Sequence, residues 1–178
     1  MHKFPFLDSS LKLKTRSRLY PPGLYEGVAW IENPRLFYLG MQDQFFTFTL
    51  FDAQAWWVRD VILGRITMPS KEEMRRDCDA VVEEEEALTD LHSQIVFQAE
   101  YVKRLIADTD YPKFDVALVI KNFEQWCRDK QESIVGYRDK AFVSAVDGTM
   151  GLEPSIAWIE AKEDSVSSYV NSHNVVSM

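Results

Sequence analysis

Between residues 37 and 56 the apolar pattern of this 178-residue chain changes period, and that change limits what it can fold into. Residues 4 to 40 alternate short apolar stretches with turn formers. Leu11 and Leu13 alternate with lysines, Pro21-Pro22-Gly23 makes a turn, and Leu24 to Ile31 reads as a strand bounded by Glu32-Asn33-Pro34. Arg35 to Gly40 reads as a second strand, so a β-hairpin or two neighbouring strands are expected over 24 to 40. From Asp52 the spacing is helical: Phe51, Ala55, Val58 and Ile62 define an apolar stripe, Gly64 stands where a C-terminal cap belongs, and Pro69 stops any continuation.

Three further helices follow on the same grounds. Ser70-Lys71-Glu72-Glu73 fits a capping box, in which the serine hydroxyl and the third-position glutamate satisfy free backbone donors reciprocally. Met74, Cys78, Val81, Val82 and Leu88 then form a buried face, with Glu83 to Glu86 as the solvated side. Ile95, Ala99, Val102 and Ile106 mark a helix over about 92 to 108. Asp110-Tyr111-Pro112 breaks it, and Val116, Val119, Ile120, Phe123 and Cys127 mark the next. A short helix is expected around Ile156 to Ala161 and a frayed end from Ser165. Strands first and about four helices after is the order of an α+β domain, or of an α/β protein cut in the middle.

Charge and composition exclude several functions. Twenty Lys and Arg against 28 Asp and Glu give a net charge of -8, which disfavours long-range attraction to nucleic acid or an anionic membrane. Nowhere does an apolar run reach membrane-spanning length, and Phe4-Pro5-Phe6-Leu7 interrupts what a secretory signal would need. Cys78 and Cys127 lie far apart without a C-x-x-C spacing, as expected of reduced thiols in a cytoplasmic setting. His2, His92 and His173 pair with no nearby Asp or Cys, so neither a metal site nor a catalytic triad is expected. No G-x-G-x-x-G or G-x-x-x-x-G-K-[ST] loop is present.

What remains is the turn itself, Gly40-Met41-Gln42-Asp43-Gln44, between an apolar strand and an aromatic helix start. Glycine permits a sharp turn and close approach of a ligand. The helix aims free N–H groups and the positive end of its dipole back at the turn, which suits a carbonyl edge or a developing anion. Asp43 and the amides of Gln42 and Gln44 are placed to orient such a group, with Phe45, Phe46 and Phe48 excluding water. An aromatic strand end that is simply core is the other reading.

The stretches "FYLGMQDQ", "FDAQAW", "RDVILGR" and "PSKEEM", with "HKFPFL" before them and "TDYPKFD" and "FEQW" after, resemble the C-terminal part of bacterial flavin-containing monooxygenases, most closely the trimethylamine monooxygenase type. The likeness runs over about residues 2 to 164. It implies an α/β fold of the FAD/NAD(P)-binding, two-dinucleotide-binding class. This chain would carry the last strands of the FAD domain and about four helices, and so look α+β or mostly α. It implies FAD and NADPH as cofactors and oxygenation of a small amine or sulfide at the reduced flavin, the protein positioning the cofactor and excluding water. Residues 1 to 164 would be the C-terminal segment of the FAD-binding domain.

Carried over onto this sequence, the resemblance places Gln42, Asp43, Gln44 and Thr47 beside the flavin, Thr47 near its pyrimidine edge. It places Asp43, Phe45, Phe46 and Trp126 around the substrate, and it implies no catalytic side chain. Phe45 stands where the subfamily usually has Trp, which keeps an aromatic face but loses the indole N–H and some cation–π strength. The family's two glycine fingerprints have no counterpart here, so the pyrophosphate contacts of both dinucleotides are missing. Activity of this chain alone is therefore not expected. The alternatives are a half-enzyme completed by another chain and a non-catalytic remnant. In either case exposed apolar surface over 24 to 51, and self-association or a complementing partner, are expected.

Overall fold

The computed structural model describes Phe6, Asp8 and residues 18 to 151. The chain divides into two compact units, with the boundary between Val116 and Ala117.

The first unit opens with a small hairpin. β1 (Leu24–Tyr25) pairs antiparallel with β2 (Ala29–Trp30), Leu24 opposite Trp30 and Tyr25 opposite Ala29. Each strand is two residues long, far shorter than the sequence pattern predicts, because the backbone bonds go into tight turns. Gly27 N–H donates to Leu24 C=O, Leu36 N–H to Asn33 C=O, and only Ala29 bridges to Phe37. Leu24, Val28 and Ala29 are still buried, so the apolar residues reach the core without a long ladder.

Three helices cover this hairpin: α1 (Thr47–Ile62), α2 (Lys71–Glu86) and α3 (Leu91–Ala107). α1 packs on α3, and α2 on β1. The Ser70 capping box forms as the sequence predicts, and Asp90 builds a second one with Ser93. Leu63 is the C-cap residue of α1, and Gly64 follows in the left-handed region (φ +71°) that a C-terminal glycine adopts.

Two expectations are corrected here. The buried stripe of α1 is Leu50, Ala53, Gln54, Trp57 and Val58, while Ile62 is 69% exposed and Ala55 is on the surface. Ten of the 16 residues of α1 are apolar and spread over a wide arc, so its composition offers two stripes, and partners for Gln54 decide between them. On α2, Met74 and Cys78 are buried as expected, Val81 and Val82 only half so. Glu85 is not solvated: it accepts from the Arg18 guanidinium and, at 2.9 Å, from the Leu19 N–H.

The C-terminal end of α1 is a charged knot. Asp60 is 2% exposed and accepts from Arg59 at 2.9 and 2.8 Å and from Arg65 at 3.0 Å. Arg59 also pairs with Asp110 and lies 4.1 Å over the Trp56 ring, which meets Tyr111 edge-on. The Arg59 hydrogen bonds, then those of Arg65, hold the Asp60 carboxyl below its usual range against the opposing effect of desolvation. A depressed folded-state pKa means that the unfolded chain takes up protons first, so this contribution is present above about pH 4 and is lost on further acidification. Urea unfolding at pH 7, 4 and 3 should show that loss, and Asp60→Asn should flatten the slope; an unchanged slope would count against the assignment.

The second unit holds α4 (Val116–Glu132) and a 3-10 turn at Tyr137–Asp139. Asp129, buried on α4, accepts from Lys140 Nζ at 2.6 Å and from Gln125 at 2.9 Å. Val143 bridges to Met150 across a turn. The helix expected at 156 to 161 and the frayed end from 165 lie outside the described residues. Among the described residues no helix is long and apolar enough to cross a membrane, and no group of His, Cys, Asp and Glu is arranged to hold a metal ion.

Candidate functional site

The turn from Gly40 to Phe46 joins the hairpin segment to α1, and each of its residues has a distinct environment. Gly40 adopts φ +68°, which a side chain would resist. The direction its Cβ would take is filled by the Phe51 ring, 2.6 Å away, so the close approach that glycine allows is that of a neighbouring side chain.

Gln42 turns inward and is buried. Its Nε2 donates to the Tyr101 hydroxyl at 3.0 Å, and its Oε1 accepts from Gln54 Nε2 at 2.8 Å. Gln54 Nε2 also donates to Tyr101 at 2.9 Å, Gln54 Oε1 accepts from the Gly40 N–H at 2.8 Å, and the Tyr101 hydroxyl donates to Glu26 C=O at 2.8 Å. A hydroxyl offers one donor and two acceptor positions, and all three are used. The sequence reading placed the Gln42 amide toward a ligand; the structure commits it to the protein interior, where it holds the turn.

Asp43 presents its side chain to solvent. Its N–H donates to Arg18 C=O at 2.8 Å and its C=O accepts from Gln98 Nε2 at 2.9 Å. The Gln44 Oε1 is buried and has no hydrogen-bond partner among the described residues. Buried acceptors are nearly always paired in native proteins, so an unpaired one marks a place for a donor.

The three phenylalanines do not form one wall. Phe46 is buried in the core, Phe45 is half-buried, and Phe48 is 78% exposed with its ring centroid 6.4 Å from that of Phe51. Thr47 is the first residue of α1. Phe46, at the N-cap position, makes no side-chain capping bond, and no acidic residue lies in the first turn of α1. The backbone N–H groups of Phe45 and Phe46 instead donate to Gln98 Oε1 from α3.

Trp126 sits on α4 in the second unit, half-buried, with ring centroids 5.6 Å from Phe123 and 5.2 Å from Tyr137 and with Lys130 Nζ 5.2 Å from its centroid. Within the first unit the structure brings Gln42, Asp43, Gln44, Phe45 and Phe46 together on one turn.

Sequence reasoning missed Gln54, Gln98 and Tyr101. A signal existed for two of them: Gln98 lies at i+3 from Ile95 on the apolar face of its helix, and Gln54 lies three residues before Trp57. A polar side chain on a buried stripe must find partners, and the nearest polar backbone is this turn.

No protein-family model matches the chain. Among curated proteins it is 50% identical over 171 residues to the trimethylamine monooxygenase of Methylocella silvestris, covering 96% of this chain and 38% of that protein. It is 49% identical, over the same shares of both chains, to the trimethylamine monooxygenase of a Pelagibacter species. The crystal structure of Tmm from Pelagibacter sp. strain HTCC7211 superposes with a TM-score of 0.85 at 49% identity, over 95% of this chain and 38% of that one. The chain thus spans less than two-fifths of the length of these relatives. The part of the FAD/NAD(P)-binding family's fold that it shares with that structure consists, among the described residues, of four α-helices and a two-stranded sheet. Over nearly its whole length, this chain is a homologue of the C-terminal part of bacterial flavin-containing monooxygenases of the trimethylamine monooxygenase type.

Proposed function

We propose that residues 40 to 48 form the flavin-facing side of an NADPH- and FAD-dependent monooxygenase that oxygenates small amines such as trimethylamine, or sulfides. The observation that carries this reading is the buried, unpaired Gln44 Oε1 next to the start of a helix that lacks a side-chain cap. The pyrimidine edge of a flavin has an N–H between two carbonyls. It offers a donor for Gln44 and acceptors for N–H groups at the helix start, Thr47 included, so the residues present fit the group.

The flavin, reduced by NADPH, supplies the oxygen-transfer chemistry. The chain's own residues bind and exclude. Gln44 fixes the ring edge, Gln42 keeps the turn at its level, and Phe45 and Phe48 cover the site from water. Asp43 places a carboxylate at the surface of the turn, where it attracts a protonated amine. Phe45 supplies an aromatic face for the same substrate class, cation–π contact being weaker on phenylalanine than on the subfamily's usual tryptophan.

No glycine fingerprint for either dinucleotide occurs in the 178 residues, so the reading includes a complementing polypeptide segment that supplies both. The exposed rings and side chains at Phe48 and Leu39 are the surface for it. The second reading is a non-catalytic remnant, in which the family likeness is ancestry only.

Flavin retention and amine-dependent NADPH oxidation separate the two. The chain alone is expected to show neither. Purified together with a polypeptide carrying both glycine fingerprints, it is expected to give yellow protein that consumes NADPH when trimethylamine is added. In that complex Gln44→Leu should weaken flavin binding about tenfold, the worth of one hydrogen bond to an otherwise unpaired buried group. Complexes that form without flavin, or a Gln44→Leu complex that holds flavin as tightly as the parent, would overturn the proposal.

A further inference from the structure

We propose that Gln98 of α3 is a positioning residue for the candidate site, fixing the Asp43–Phe46 backbone so that the turn's side chains and the start of α1 keep one relative geometry. Gln98 is 0% exposed, on a buried helix face that also carries Ile95, Ala99, Tyr101, Val102 and Leu105. Burying a primary amide there is unfavourable unless its polar atoms are satisfied, and a leucine of similar size would pack without that cost. The amide is satisfied by the backbone of one short stretch. Oε1 accepts from the Phe45 and Phe46 N–H groups, the latter at 3.2 Å, and Nε2 donates to Asp43 C=O at 2.9 Å.

Those three bonds clamp the turn from both sides of Gln44. Asp43 C=O lies before it and the Phe45 N–H after it, so rotation of the peptide groups that aim the Gln44 side chain is opposed at each end. The same oxygen ties down the backbone at and just before the N-cap residue Phe46, ahead of the first turn of α1. Tyr101, three residues further along α3 on the same face, sets the other half of the turn through Gln42 and Gln54. α3 therefore holds the whole turn by uncharged groups, with Gln98 the one that reaches the flavin-facing half. That the clamp matters for catalysis rests on the flavin reading above; that it exists does not.

Amide hydrogen exchange on this chain tests the clamp without any cofactor. In Gln98→Leu the Phe45 and Phe46 amides are expected to exchange about tenfold or more faster, while Leu50 and Ala53 in the middle of α1 keep their rates. Equal acceleration at all four sites would indicate general loosening and overturn the proposal, as would no change at Phe45 and Phe46. Gln98→Glu serves as the conservative variant and decides the matter if Gln98→Leu does not fold. Its carboxylate still accepts both N–H groups, favoured by the helix N-terminus, but has no donor for Asp43 C=O. Protection at Phe45 and Phe46 is then expected to stay within about twofold of the parent, while the amide resonance of Gln44, in the peptide group of that carbonyl, shifts. Loss of protection at Phe45 and Phe46, or an unmoved Gln44 resonance, would overturn it. Flavin titration of the same variants in the complemented protein separates the two ideas. Exchange that responds as expected with unchanged flavin affinity sinks the flavin reading and leaves the clamp standing.

Discussion

Gly27→Ala is expected to lower the unfolding free energy of this chain by about 3 kcal/mol, adding about 1–2 kcal/mol for a left-handed non-glycine residue to about 1–3 kcal/mol for disturbed buried hydrogen bonds. Gly27 has φ +66°, and a Cβ there would lie 2.6 Å from both Gln42 Nε2 and the Tyr101 hydroxyl. Neither group has room to retreat. Tyr101 is buried with its ring edge-on to Tyr20, and Gln42 is held by Gln54. Gly23→Ala is the control: φ is +81° but nothing lies within 4 Å of the added carbon, so only the backbone cost of about 1–2 kcal/mol applies. Urea unfolding followed by tryptophan fluorescence measures both, and equal losses would show that the network tolerates the intruding methyl group.

Gln54→Leu is the second large effect. Gln54 is 0% exposed, and its removal leaves the Gly40 N–H and Gln42 Oε1 without the partners shown here while Tyr101 keeps two of three. At about 1–3 kcal/mol for each buried group stranded, a loss of about 3 kcal/mol is expected. The double variant Gln42→Leu, Gln54→Leu should cost less than the sum of the single ones, because removing Gln42 also removes one of the stranded atoms. Strict additivity in urea unfolding would mean that the two amides do not act as one network.

These residues also show which parts of the fold were legible in advance. The start of α2 is local chemistry, Ser70 and Glu73 three residues apart, and the end of α1 is Gly64, so both could be read directly. The recognition of the flavin-containing monooxygenases likewise rested on contiguous motifs, and the comparisons bear it out. The buried side of α1 could not be read, because Gln54 is drawn inward by Tyr101, 47 residues later. Gln98 meets the Phe45 amide 53 residues earlier, and Glu85 meets Arg18 across 67. Pattern counting treats glutamine and glutamate as surface residues and has no knowledge of which distant backbone will need an acceptor. The strands failed for a related reason: alternation predicted which residues go inside but not whether turns or a ladder would satisfy their backbone.

The groups that hold the Gly40–Phe46 turn have one chemical property in common. Gln42, Gln54 and Gln98 do not ionise, and burial pushes the Tyr101 hydroxyl well above the ordinary tyrosine range. The shape of the turn is thereby insulated from proton concentration across neutral and mildly acidic or alkaline conditions, while the acidic side chain it displays, Asp43, faces solvent. Any pH dependence of ligand capture at this turn would then enter from outside these groups, with the scaffold as a constant background.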